Sequence, residues 1–299
     1  MPELPDVTVY VEALARRIAG RELERIRLKS PFLLRTAAPP LASAHGRRVL
    51  GVRRMGKRIV IELAPAAAGE SALFLVLHLI IAGRLHWKET GALLSKRNDL
   101  AALDFEPGTL LVTEAGTKKR AALHLVAGTA GLRELERGGL EVLEVDRETF
   151  SERLRSAPHT LKRALCDPRL FSGIGNAYSD EILHRARLSP LQHVKNLDQD
   201  ELARLFDATR AVLLEWTARL RAEAGDGFPE KVTAFRPGMA VHGRFRQPCP
   251  VCQAPIQRIV RAENEVNYCS RCQTGGRILK DRALSQLLKD DWPSSLDEL

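Results

Sequence analysis

Aromatic residues are scarce, at 5% of 299 positions, and five cysteines are too few for a disulfide-stapled scaffold. No apolar run reaches membrane-spanning length: Leu73 to Ile81 is too short and is interrupted by His78. The first residues, Met1-Pro2-Glu3-Leu4-Pro5-Asp6, have neither the basic stretch nor the apolar core of a secretory signal. Internal repeats and low-complexity tracts are missing as well. These absences argue against a membrane protein and a disulfide-rich secreted domain, and a reducing cytoplasm becomes the expected compartment.

What is plentiful is positive charge. Forty-six Lys and Arg against 37 Asp and Glu leave a net charge of +9 and a pI near 9.6. Such a balance favours polyanionic partners, nucleic acid above all, although a merely soluble basic protein has the same composition. The length suits two ordinary domains with a small appendage or one large domain, and 44% hydrophobic residues suffice for packed cores.

The segment to about Gly128 reads as α+β. Val7, Val11, Leu14, Ala15 and Ile18 recur at helical spacing before Gly20. Short β-like runs follow at 47–50, 58–63, 73–78, 100–105 and 109–113, divided by turns at Gly51, Gly56, Gly69, Gly83 and Pro107-Gly108. An antiparallel sheet or sandwich is the natural outcome. Glycine and charge between 128 and 148 predict a linker or hinge. Helical periodicity then governs 149–154, 160–166, 176–187 and 198–223. The expected domains are a β-sandwich over 1–128, a linker over 129–146, a helical domain over 147–237, a metal finger over 238–274 and a tail over 275–299.

Cys249-Pro250-Val251-Cys252 and Cys269-Ser270-Arg271-Cys272 stand sixteen residues apart. Two C-x-x-C knuckles at this separation complete a tetrahedral zinc shell, and a hairpin over 256–268 brings them together. In so small a module the metal stands in for a core. Reduced or redox-active pairs without metal are the weaker alternative. Zinc ribbons bind DNA, RNA and protein alike, so the ligand set is silent about function.

Gly173-Ile174-Gly175-Asn176 opens a helix, where free backbone amides favour a phosphate, and Lys162, Arg163 and Arg169 lie nearby in sequence. A Gly-x-Gly turn is more commonly just a tight connection, and no strand precedes this one as a dinucleotide fingerprint requires. At the other end, removal of Met1 would expose the secondary amine of Pro2. An α-amino pKa near 8 leaves a useful neutral fraction, and attack on a sugar C1′ would give an iminium that is already an electron sink. Glu3 beside it can carry protons. Composition alone makes Pro2 an ordinary second residue.

Together, however, these segments carry a resemblance. Pro2-Glu3-Leu4-Pro5-Asp6-Val7, Met55-Gly56-Lys57-Arg58, and Leu77-His78-Leu79 with Ala82-Gly83-Arg84-Leu85 resemble the N-terminal domain of the formamidopyrimidine-DNA glycosylase/endonuclease VIII family. Leu161-Lys162-Arg163-Ala164-Leu165 and 173–183 resemble its helix–two-turns–helix element, and the two cysteine pairs resemble its zinc finger. The motifs run in the family's order to about Gln273. The resemblance implies an α+β fold with an N-terminal antiparallel β-sandwich and flanking helices, a helix–two-turns–helix domain, a C-terminal finger holding a structural Zn2+, and DNA bound between the domains with a lesion base extruded. It makes Pro2 the Schiff-base nucleophile, Glu3 the acid that opens the sugar, and Lys57 the lysine near the scissile phosphate. It makes Asn176 and Lys162 holders of the DNA backbone.

Several positions depart from that pattern. Where the family has Gly-Met-(Ser/Thr) after His-Leu, with the Met filling the void left by the extruded base, this chain has Ile80-Ile81-Ala82. Its Asp-Pro-Arg-Arg-Phe-Gly motif is replaced by 114–120, where Lys119 and Arg120 keep the charge without the aromatic wedge. The loop that closes over oxidised guanine reads Ala224-Gly225-Asp226-Gly227-Phe228-Pro229, and the finger arginine is Asn264, leaving Arg261 or Arg258 to compensate.

The expectation is a monomeric, nucleoid-associated DNA glycosylase with abasic-site lyase activity on double-stranded or unpaired damaged DNA. It performs β-elimination without efficient δ-elimination and lacks a preference for 8-oxoguanine. The alternatives are a non-catalytic binder of damaged or abasic DNA on the same scaffold, and an enzyme for crosslinks or single-stranded lesions. The tail residues Leu279, Leu284, Leu287 and Leu288 fit a short amphipathic helix that packs on the body or docks a partner.

Overall fold

A computed structural model describes residues 1–230, 232–233, 235–261, 264–280 and 295, with the side chains of Arg261 and Asn264 outside the description. The chain forms two compact units, Met1–Arg137 with Trp216–Thr233, and Gly138–Glu215 with Ala234–Leu299.

The first unit begins with α1 (Leu4–Ile18), whose Val7, Tyr10, Leu14 and Ile18 form one buried stripe. Eight strands follow: β1 (Glu22–Leu28), β2 (Arg47–Met55), β3 (Arg58–Leu63), β4 (Leu73–His78), β5 (Gly83–Lys88), β6 (Asp99–Phe105), β7 (Gly108–Glu114) and β8 (Ala122–Ala127). They make one antiparallel sheet in the order β5-β7-β6-β1-β2-β3-β4-β8. Only Glu22↔Arg48 and Leu23↔Arg47 join β1 to β2, so the sheet folds at that corner. Both halves turn their apolar rows into one cluster, with Leu103, Phe105 and Val112 on one side and Ile59, Ile61, Leu75 and Leu77 on the other. Period-two alternation dictates this, and each fully buried Leu or Ile contributes roughly 1.5–3 kcal/mol.

β3 and β4 bury apolar residues on both faces, although Arg58 and Glu62 flank Val60 on the second face of β3. Their second face, Val60, Phe74 and Val76, packs with Met55 and Leu132. Leu132 belongs to α2 (Gly128–Arg133), a short helix where glycine and charge predict a linker. Gly128 at φ +67° makes the turn out of β8, and burial of Leu132 then fixes the helix. At the β8 edge of the sheet, part of the connection between β1 and β2 runs along that strand: Leu34 bridges Leu123, the Arg35 amide donates to the Leu123 carbonyl (2.9 Å), and the Leu125 amide donates to Thr36 Oγ1 (3.0 Å).

The second unit contains α3 (Arg147–Arg155), capped by Asp146, then α4 (Leu161–Cys166) and α5 (Asn176–Ala186). The long α6 (Gln199–Ala224) holds the division between units near its middle, at Glu215 and Trp216. Strands β9 (Ile256–Arg261) and β10 (Asn264–Cys269) form the expected hairpin, followed by α7 (Ser270–Thr274). Leu279 is buried against Ile259 and Tyr268, whereas Leu284, Leu287 and Leu288 lie outside the described residues. Among the described residues no helix is long and apolar enough to cross a membrane.

Candidate functional site

Two groups of side chains, one in each unit, carry the chemistry. The first surrounds the start of α1. Glu3 is the N-cap: its amide donates to Asp6 Oδ2 (3.0 Å), its carboxylate accepts from the Asp6 amide, and its carbonyl takes the Val7 amide (2.9 Å). This reciprocal box satisfies helix-start donors that burial would otherwise orphan. Pro2 and Glu3 are both buried, with Glu3 only 2% exposed. The chain-start amine, on Met1, is held below the usual α-amino value chiefly by burial; the nearby Arg84 and Lys57 add to the effect, and Glu3 and Asp6 oppose it. An amine so placed is neutral, and nucleophilic, more of the time.

Lys57 stands on the two-residue turn between β2 and β3, which Gly56 makes possible at φ +61°. It is half-buried and within electrostatic reach of the chain-start amine. Beside it His78 closes β4 opposite Arg58. Burial, Arg58 and Lys57 push the His78 imidazole down to about 4, so it is neutral at physiological pH.

The turn after β4 holds a backbone feature that composition argues against. Ile80 has φ +53°, in the left-handed region that β-branched residues avoid. The Gly83 amide closes the turn on the Leu79 carbonyl (2.9 Å), and a Cβ at Gly83 would lie 2.3 Å from that oxygen. The outcome is an Ile81 side chain left 50% exposed.

Buried Glu114 organises the loop carrying Lys119 and Arg120. Its carboxylate accepts the Arg120 amide (2.9 Å) and the Ala121 amide (3.1 Å). Lys119 donates to the Glu114 carbonyl and to Asn98 Oδ1 (3.4 Å), while the Arg120 side chain is exposed. The loop after α6 is tied down on the same unit. Arg17 donates to the Asp226 carbonyl (3.0 Å) and lies over the Phe228 ring, which packs on Tyr10 and Trp87; Glu230 meets His86.

The second group surrounds the start of α5, with Gly175 as its N-cap. The Asn176 amide Nδ2 donates to the Glu265 carbonyl on β10 (2.9 Å). Lys162 is only 7% exposed: its ammonium donates to the Asn176 carbonyl (2.6 Å) and Asp180 Oδ1 (2.5 Å). Buried lysines require such pairing. Sequence reasoning missed Asp180, Glu181, His242 and Asn267 as a working set. The available signal was two adjacent acids in a short helix whose Ala177, Tyr178, Ile182, Leu183 and Ala186 mark it as buried. Glu181 accepts the amides of Ala240, Val241 and His242 (2.7, 2.9 and 2.9 Å), although burial holds its carboxyl above the usual range.

The four sulfurs of Cys249, Cys252, Cys269 and Cys272 lie within 4.8 Å of one another. Cys249–Cys272 at 3.9 Å and Cys252–Cys269 at 3.3 Å approach the S···S spacing of about 3.8 Å that Zn–S bonds near 2.3 Å impose on a tetrahedron. All four are unbridged thiols, and the donor set fits Zn2+. His184 Nε2 lies 3.3 Å from the Cys249 sulfur, an outer contact that orients the ligand. On the hairpin, Arg258 sits 4.3 Å over the Phe245 ring and pairs with Glu265 (3.4 Å), while the Arg261 side chain lies outside the described residues.

Comparison with known proteins places three family models along the chain in this order. The formamidopyrimidine-DNA glycosylase N-terminal domain matches residues 1–120, the formamidopyrimidine-DNA glycosylase H2TH domain 141–221, and the zinc finger found in FPG and IleRS 246–275. The formamidopyrimidine-DNA glycosylase of Thermus thermophilus is 32% identical over 293 residues, covering 92% of this chain and all of that one. An uncharacterized formamidopyrimidine-DNA glycosylase-like protein of Mycobacterium tuberculosis is 37% identical over 164 residues, 55% of this chain and all of its own. The fold is similar to that of Lactococcus lactis Fpg in a complex with abasic-site DNA, with a TM-score of 0.79 at 23% identity over 91% of this chain and 99% of the other.

Proposed function

The chain belongs to the formamidopyrimidine-DNA glycosylase family, and on that premise we propose that it excises damaged bases from DNA and then cleaves at the abasic site, with the Pro2 amine as nucleophile. Once Met1 is removed, the Pro2 nitrogen bonds to C1′ through its lone pair as the C1′–base bond breaks; the base departs with the bonding pair and takes up the proton that the Pro2 nitrogen sheds. The sugar ring opens as Glu3 delivers a proton to O4′, leaving an iminium at C1′. Loss of a proton from C2′ expels the 3′ phosphate, and Lys57 offsets the charge on that leaving oxygen.

The observation that carries this reading is geometric: Pro2 and Glu3 are both buried at the start of α1, where the preceding Met1 amine feels the charges of Lys57 and Arg84. Support for DNA as partner comes from the net charge of +9 and from the solved complexes of the related proteins with damaged DNA. Ile81 is the residue proposed to fill the void beside an extruded base, since it is the exposed apolar side chain of its turn. The Phe228 loop, packed on Tyr10, Trp87 and Arg17, supports a substrate that needs no loop closing over 8-oxoguanine. Lys119, Arg120, Asn176 and Arg261 are proposed to hold the DNA backbone, with Lys162 supporting Asn176 from beneath.

Borohydride trapping on a duplex with one abasic site tests the proposal. The expected result is a covalent protein–DNA adduct that disappears with Pro2→Gly, at least a hundredfold loss of trapping, while binding to the duplex persists. Salt-sensitive binding without adduct or strand cleavage would leave the non-catalytic binder instead.

A further inference from the structure

Asp180 lies on the second turn of α5 with a side chain 0% exposed, yet four donors from three other segments converge on it. Lys162 of α4 reaches Oδ1 at 2.5 Å. His242 Nδ1 reaches Oδ2 at 2.8 Å, and the backbone amide and side-chain Nδ2 of Asn267 on β10 reach the same oxygen at 3.2 and 3.4 Å. The surrounding side chains are equally enclosed: Asn267 is 1% exposed, His242 5% and Lys162 7%. A carboxylate taken this far from water is tolerated only with its charge paired and its lone pairs filled, and removing one partner leaves an uncompensated charge.

The arrangement does more than neutralise a charge. Lys162 spends a second donor on the Asn176 carbonyl, at the first position of α5, and the Asn176 side chain is bonded to Glu265 two residues before Asn267. Asp180 therefore sits at the closure of a ring: carboxylate to Lys162, Lys162 to the Asn176 carbonyl, Asn176 amide to the Glu265 carbonyl, and along β10 back through Asn267 to the carboxylate. Asn176 is fixed through its carbonyl and its amide at once. The phenyl ring of Phe235 stacks on His242 at 5.6 Å and 17°, covering one face of the imidazole partner.

We propose that Asp180 is a positioning residue for DNA binding: its buried carboxylate sets Lys162 and β10, and through them the orientation in which Asn176 meets a DNA phosphate. This rests on the proposed function, in which Asn176 holds the DNA backbone. Asp180 touches no DNA itself.

A double-mutant cycle decides the matter. Affinity for a duplex bearing a stable abasic-site analogue is measured for the full chain, Asp180→Asn, Asn176→Ala and the double variant, each with one zinc per chain as the check of folding. Asp180→Asn is expected to weaken binding roughly tenfold, the loss of one charge-assisted hydrogen-bond set. In the Asn176→Ala background the same change is expected to cost less than about twofold. An equal loss in both backgrounds means that Asp180 acts only on overall stability, and overturns the inference; so does wild-type affinity in Asp180→Asn. If that variant fails to fold, His242→Phe replaces it, since it removes one donor and leaves the Lys162 pair, and the same cycle with Asn176→Ala must show the same non-additivity. Should the unmodified protein not prefer the abasic duplex, or should Asn176→Ala bind as well as it does, the parent reading fails and this inference with it. Loss in Asn176→Ala without loss in Asp180→Asn overturns the inference alone.

Discussion

The two candidate sites are built on opposite principles. The start of α1 is held by an apolar sandwich: Leu4, Val7 and Tyr10 are buried in or beside the main core, and the polar groups satisfy one another locally through Glu3 and Asp6. The start of α5 is held by long-range polar contacts, from Lys162, Asp180, Glu181, His242 and Asn267, with a metal-sized cysteine cluster behind them. The difference teaches how much each site depends on distant parts of the chain. In the first, the polar bonds at the helix start span only three or four residues, and the distant segments meet it mainly through apolar packing. The second needs segments more than sixty residues apart to arrive together.

Removing the metal should break the comparison most completely. A chelator, or Cys252→Ser, is expected to unfold the β9–β10 hairpin and abolish DNA binding, because structural zinc contributes on the order of 10 kcal/mol to such modules. The sheet of the first unit should keep its far-ultraviolet signal and cooperative melt. Simultaneous loss of both units would show that the sandwich is not self-sufficient.

A subtler difference should emerge on acidification. His78 is neutral in the folded state, with its folded value near 4 against an ordinary 6.5, so the unfolded chain takes up the proton first. Its contribution is fully present above about pH 6.5 and is lost as pH falls toward 4. The melting temperature should decline across that window, and His78→Phe should flatten the decline. An unchanged slope would place the acid sensitivity elsewhere.

The smallest expected effect concerns Ile80. Gly at this position relieves a left-handed β-branched residue, and Ile80→Gly should stabilise the first unit by about 1 kcal/mol in denaturant melts. A destabilised variant would mean that contacts of the Ile80 side chain outweigh the backbone relief.

Much of the first unit was legible because its signals are local. The runs at β3 and β4 are apolar and bounded by turn residues, and the C-x-x-C spacing states its own geometry. β1 escaped notice because a register shift after Leu23 puts its buried Leu23 and Ile26 three apart and breaks the period of two. β8, Ala-Leu-His-Leu-Val-Ala, has helix-compatible composition, and only pairing with β4 makes it a strand. The backbone of Ile80 runs against its residue type. At the second site, the role of Lys162 was hidden because a lysine in a basic segment reads as solvent-facing; its burial depends on Asp180, His242 and Asn267 arriving from three separate places. Local pattern can announce a ligand set or a strand, but not a network assembled by tertiary structure.

The strip Leu34–Thr36 laid along β8 bears on self-association. The outward carbonyl of Leu123 and the outward amide of Leu125 are already engaged, by the Arg35 amide and Thr36 Oγ1. An incoming strand from another molecule would have to displace those two bonds, which opposes edge-to-edge pairing along that stretch of β8. Sheet-mediated self-association at that margin is thus opposed by three residues that contribute no regular strand of their own.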